Sequence, residues 1–143
     1  MPAALDARLA RLLAELGIQD LVVVTVKATA LAEVAAGIGP LVGSGTRVLF
    51  TQNGMQWWYP LGLDGSRPIP DIPVFALGDA FLSHMRPEQV LGSILYTAND
   101  VRAPGVILNT SPTHNRIYLA AALPDEPEPT DVRSLFNEAG IMS

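Results

Sequence analysis

Lys27 and Asn53 combine residue types that bind small molecules with positions that would bring them together. Lys27 follows Leu21-Val22-Val23-Val24-Thr25-Val26, in which five of six residues are aliphatic, the pattern of a strand buried on both faces. Asn53 follows Val48-Leu49-Phe50-Thr51-Gln52, a second run of the same kind, and precedes the turn-former Gly54. Ligands of open α/β sheets lie beyond the carboxyl ends of the strands, so both side chains would face one crevice. An ammonium and a carboxamide can there hold ribose hydroxyls, a nicotinamide amide or an α-keto acid. Each residue also has a plainer reading: a lysine at a strand end can snorkel to solvent, and Asn-Gly serves as a tight turn. Trp57-Trp58-Tyr59 reads as a packing cluster that lies close enough to wall the same crevice.

Other candidate constellations carry less. Gly37, Gly39 and Gly43 fit a GxGxxxG pattern, but they close a helix and precede a strand. A phosphate loop needs the reverse order, with the helix N-terminus facing the anion. Asp79, Ser83 and His84 are triad residue types without a nucleophile elbow, and a triad is defined by geometry rather than by sequence proximity. Two histidines, His84 and His114, lack the carboxylate company of a metal site. Asn109-Thr110-Ser111 is a formal glycosylation sequon with no secretion signal to give it meaning.

The elements that must position Lys27 and Asn53 follow from hydrophobic spacing. Leu5, Leu9, Leu12, Leu13 and Leu16 predict a helix over residues 4–16, capped by Gly17. A strand over 20–27, a helix over 28–38 and a strand over 47–52 make a β-α-β unit with parallel strands. A proline- and glycine-rich loop follows, then a short helix around 75–85. Residues 93–97, 105–108 and 116–119 read as three strands, joined too closely for helical crossovers and so antiparallel. Thr130 is the predicted N-cap of a last helix over 131–139, beyond an acidic, proline-rich linker at 125–129.

Composition bounds the function. At 143 residues the chain reads as one domain, able to bury roughly two thirds of its unfolded surface. With 49% hydrophobic and 16% charged residues it should pack a core. The net charge of −5 and the nine scattered basic residues point away from nucleic acid and from anionic membrane surfaces. The absence of cysteine excludes disulfides, thiolate metal sites and thiol nucleophiles. No apolar run approaches the ~20 residues that span a bilayer, and the N-terminus lacks a signal-peptide core. The reading is a cytoplasmic protein.

Several of these segments, in order, resemble the N-terminal cofactor domain of ketopantoate reductases (2-dehydropantoate 2-reductases). They are the Asp20–Ala28 run, Gly43-Ser44-Gly45-Thr46-Arg47-Val48, Gln52-Asn53-Gly54, Pro87-Glu88-Gln89-Val90-Leu91-Gly92, Tyr96-Thr97-Ala98, Ala103-Pro104-Gly105-Val106 and Ala139-Gly140-Ile141. The likeness covers residues 16–141. It implies an NADP-dependent oxidoreductase reducing 2-dehydropantoate, a 2-keto acid, to pantoate, on the route to pantothenate. It also implies that Lys27 contacts the cofactor near the nicotinamide ribose and that Asn53 lines the nicotinamide and substrate site. Ala98-Asn99-Asp100 matches a cofactor-contacting stretch with different side chains.

The expected fold is therefore α/β: an incomplete Rossmann-like domain spanning residues 1–143, with a parallel β-α-β start and an antiparallel strand extension. The family's GxGxxG loop and its helical second domain with a general-acid lysine have no match in these residues. The chain alone is thus expected to show little or no reductase activity. A non-catalytic small-molecule binding module is the alternative, as is a chain completed by a homodimer or a complementing chain. Leu5, Leu9, Leu12 and Leu16 would then form a helix over the exposed sheet edge, or that edge would serve in pairing.

Overall fold

A computed structural model describes residues 7–66 and 68–143. Four strands form the main sheet, in the order β1-β2-β3-β6: β1 (Leu21–Val24), β2 (Arg47–Phe50), β3 (Val90–Tyr96) and β6 (Arg116–Ala121). The first three run parallel, and β6 pairs antiparallel with β3. The architecture is the expected α/β Rossmann-like one with a mixed sheet.

The chain alternates across the sheet as a pleated strand must. Val48 and Phe50 point to one face, where they meet Leu31, Ala35 and Ile38 around helix α2 (Leu31–Gly37), and Phe81 and Met85 around helix α3 (Gly78–Leu82). Leu49 points to the other face, with Leu91, Ile117 and Leu119, under Val132 and Phe136 of helix α4 (Thr130–Glu138). Val48, Leu49 and Phe50 are each 0% exposed, the signature of a central strand covered on both faces. The aromatic centre of the first layer is Phe50, edge-on to Trp57 at 5.2 Å and to Phe81 at 5.1 Å, while Trp57 and Phe81 stack at 4.6 Å.

Four expectations need correction. The first strand is shorter than residues 20–27 and is not buried on both faces, because it is an outer strand: Val23 is 39% exposed, beyond the cover of α4. The three later strands do not form one antiparallel set. The first of them, β3, joins β2 in parallel, because the long 53–89 connection carries α3 and short 3-10 turns across the sheet. The middle one, β5 (Val106–Asn109), leaves the sheet and pairs antiparallel with β4 (Asn99–Ala103), a strand missed because its polar sequence lacks the alternation of a half-buried one. Finally, Thr130 is the first residue of α4 rather than its cap; Pro129 holds the cap position without a side-chain bond.

The β4–β5 hairpin is tied at its base by a cluster of polar side chains, beside the Thr110 amide that donates to the Ala98 carbonyl (2.8 Å). Asn109 Nδ2 donates to Asn99 and Asn115 (both 2.9 Å) and to Thr97 (3.2 Å), and Asn115 Oδ1 also accepts from Thr97 (2.7 Å).

Helix α1 (Ala7–Leu16) lies beside the outer strand without closing over it. Leu9 and Leu13 line a 250 Å³ apolar groove together with Val22–Val26 and the Val34 and Ile38 side of α2. Leu12, Leu16 and Ile18 remain 48%, 64% and 71% exposed. Leu5 lies outside the described residues. No helix among the described residues is long and apolar enough to cross a membrane.

Candidate functional site

The carboxyl ends of β2 and β3 open onto a 350 Å³ crevice, where an α/β sheet binds its ligands. Gln52, Asn53, Gly54, Met55 and Gln56 form one side, Ser93 and Ile94 another, and Trp58 with Tyr59 the third. The wall is mostly carbon, with a few polar groups set into it, the usual constitution of a small-molecule site.

The two adjacent amides at the end of β2 reach in opposite directions. Gln52 is 7% exposed, and its Nε2 donates to the carbonyls of Val24 (2.9 Å) and Val26 (2.8 Å). Val24 also accepts from the Thr51 hydroxyl (2.9 Å) and the Thr51 amide (3.2 Å). This cluster staples the segment after β1 to the end of β2. Asn53 turns the other way. Its Nδ2 donates to the Leu95 carbonyl and its Oδ1 accepts from the Leu95 amide, both at 2.9 Å. That pair replaces a backbone rung between β2 and β3, whose ladder stops at Phe50 opposite Gly92.

The structure brings Asn53 to the crevice wall and leaves Lys27 outside it. Lys27 is exposed and extended (φ −64°, ψ 151°) at the start of the 3-10 turn Ala28–Ala30, and its carbonyl accepts from the Ala30 amide (2.9 Å). Among the described residues its ammonium makes no ion pair. The Gln52–Val26 hydrogen bond links the two: Lys27 is the residue after Val26, and Asn53 the residue after Gln52.

Tryptophan divides its two roles. Trp57 is 1% exposed and belongs to the core stack, whereas Trp58 and Tyr59 wall the crevice. The Trp58 indole packs against β3 at Gly92, where a Cβ would sit 2.1 Å from the ring. The sequence pointed to the aromatic cluster but not to Gln56, Ser93 or Ile94. Nothing in their spacing marks Gln56, and Ser93 and Ile94 read as ordinary strand residues.

The remaining candidates lie elsewhere. Ser83 and His84 share a polar hollow with Gly43, Ser44 and Gln89, at the amino ends of β2 and β3 and so opposite the crevice. The Ser83 hydroxyl donates to Ala80 O at 2.8 Å. The glycine pattern is a packing device: a Cβ on Gly39 would come within 2.9 Å of the His84 ring, and one on Gly43 within 2.7 Å of Ile18. No cluster of three or more metal-ligating side chains occurs among the described residues.

This chain resembles the ketopantoate reductase family of oxidoreductases. The family model described as ketopantoate reductase PanE/ApbA matches residues 2–59, which include β1, β2, Lys27 and Asn53. A 2-dehydropantoate 2-reductase of Mesorhizobium japonicum is 40% identical over 93 residues, 65% of this chain and 28% of the relative. The chain therefore spans little more than a quarter of that protein's length. Among solved structures, a candidate ketopantoate reductase from Ralstonia solanacearum MolK2 superposes with a TM-score of 0.73 at 33% identity, covering 90% of this chain and 40% of that one. The 2-dehydropantoate 2-reductase of Geobacter metallireducens GS-15 shares the fold, with a TM-score of 0.66 at 24% identity, over 90% of this chain and 36% of its own.

Proposed function

We propose that this chain is a ketopantoate-reductase-like oxidoreductase domain whose crevice takes the nicotinamide end of NADPH, with a 2-keto acid such as 2-dehydropantoate beside it. The observation that carries the reading is the stapling of the Lys27 segment to the Gln52-Asn53 end of β2, beyond the carboxyl ends of two parallel strands. The likeness to the family runs through both segments. The cofactor, when bound, supplies the hydride that converts the keto carbon to a secondary alcohol. Lys27 supplies the positive charge for ribose oxygens or a carboxylate, and Asn53, held by Leu95, shapes the crevice wall. Trp58 and Tyr59 exclude water from one side of the bound ring.

The crevice wall holds no carboxylate, imidazole or ammonium. Within these residues the proton that completes reduction would come from Lys27, from the Tyr59 hydroxyl at the wall or from solvent. A poorly placed general acid costs ~10²–10⁴ in rate, so the 143-residue chain by itself should turn over slowly. The experiment is an NADPH titration followed by tryptophan fluorescence, beside Lys27→Ala. Saturable micromolar binding, weakened about tenfold by loss of one charge-assisted contact, is expected. Failure of the folded chain to bind NADPH would refute the reading.

A second reading has its own support in the edge of β1, which pairs with no second strand among the described residues. Carbonyls of Asp20 and Val24 pair with β2, so the backbone groups of Leu21, Val23 and Thr25 point away from the sheet. A homodimer or a complementing chain could pair there. Sedimentation equilibrium should then show concentration-dependent association that Val23→Pro abolishes; a strict monomer at all concentrations counts against it.

A further inference from the structure

The hydrogen-bonding capacity left over in the crevice has a definite chemical sense. Asn53 is committed to Leu95, and the Ser93 hydroxyl donates to Phe50 O at 3.1 Å. Three buried atoms of the wall have no partner: Gln52 Oε1, Gln56 Oε1 and Trp58 Nε1. The amide orientations are fixed by their other ends, since Gln52 Nε2 serves two carbonyls and Gln56 Nε2 donates to Gln52 O. Both oxygens therefore face away from those bonds. Gln52 and Gln56 are 7% and 6% exposed, so their unpaired oxygens are not satisfied by bulk water. Trp57 Nε1 is also unpartnered, but it lies in the core stack off the crevice.

Buried polar atoms without partners are uncommon and costly, and at a ligand site they report what the ligand must bring. Two acceptors and one donor call for a group with N–H donors and a carbonyl. We propose that Gln52, Gln56 and Trp58 form a carboxamide-reading pocket: a planar primary carboxamide gives its N–H groups to the two glutamine oxygens and accepts from the Trp58 indole. Met55 and Tyr59 also line the crevice, 53% and 49% exposed, and the proposal requires these side chains to move aside so that the ring reaches the three buried atoms. A carboxylate is excluded, because it would set a charge against two acceptor oxygens in a buried site. The anionic end of a 2-keto acid accordingly lies toward Lys27, outside this pocket. The inference rests on reading the crevice as the cofactor's site and adds to it which residues choose amide over acid.

Nicotinamide and nicotinate, equal in shape and different in charge, are titrated into the chain and followed by tryptophan fluorescence. Nicotinamide should saturate on the order of millimolar, as suits so small a ligand. Nicotinate should bind at least about tenfold more weakly. Gln56→Leu, which keeps the volume and removes the acceptor, should erase the difference. Should that variant fail to fold, the ratio in the unaltered protein decides. Equal or tighter binding of nicotinate overturns the proposal, as does no saturation by nicotinamide. If NADPH fails to bind while nicotinamide is still preferred, the pocket stands and the cofactor reading falls. If NADPH binds without that preference, only the pocket falls.

Discussion

Phe50→Ala is expected to cost about 3–5 kcal/mol of folding stability, the range for removing a fully buried phenylalanine. The ring is 0% exposed and holds two edge-on partners, Trp57 at 5.2 Å and Phe81 at 5.1 Å. Neither can move into the void. Trp57 is already stacked on Phe81 at 4.6 Å, and the Phe50 backbone lies in a strand paired on both sides. Since domains of this kind are stable by only about 5–15 kcal/mol, the variant should unfold at much lower urea or fail to accumulate. The loss would reach the crevice as well, because Trp58 follows directly on Trp57. Urea titration by circular dichroism measures the change. A loss below about 1 kcal/mol would mean that the aromatic triplet is not the centre of the core.

Gly92→Ala should be the most crowded of the glycine-to-alanine substitutions. A Cβ at that position would lie 2.1, 2.4 and 2.9 Å from three atoms of the Trp58 ring. The strand cannot yield, because Gly92 is paired with Phe50 on one side and Ala120 on the other. The indole must therefore lift off the sheet. Overpacking of this kind costs about 1–3 kcal/mol, and here it also removes one wall of the crevice. The expected result is a lowered melting temperature with tryptophan emission moved to longer wavelength. Gly45→Ala is the control: nothing lies within 4 Å of its Cβ position, and it should change stability by less than about 0.5 kcal/mol. Equal behaviour of the two variants would contradict the packing of Trp58 on β3.

The sequence was most legible where hydrophobic spacing alone decides structure. The aliphatic runs before Lys27 and Gln52 are strands, the alanine- and leucine-rich segment between them includes α2, and the family likeness follows from those segments. Burial was less legible, because it depends on what lies across the sheet. Val23 has the same neighbours in sequence as a central-strand valine, yet it sits on the outer strand beyond α4. Pairing partners were hidden for a similar reason. Val106–Asn109 has the composition of a sheet strand, but the asparagine and threonine side chains at its base hold it against β4 instead. At the site, Asn53 and the aromatic cluster stood out by residue type. The staple made by Gln52 and the unpartnered oxygen of Gln56 did not, because an amide side chain shows its partners only once three strand ends have met.

The paired bonds between Asn53 and Leu95 bear on how the sheet avoids misalignment during folding. If β3 slid by one residue along β2, Leu91 and Gly92 would exchange faces, and the Trp58 ring would meet a leucine where it needs a bare backbone. The same slip would carry the Leu95 amide and carbonyl out of reach of Asn53, losing both bonds at once. Two distant checks thus reject the same error, one by steric conflict and one by lost polar pairing. The residue at the crevice rim is therefore also a proofreading device for strand alignment, which ties the shape of the binding surface to correct assembly of the whole sheet.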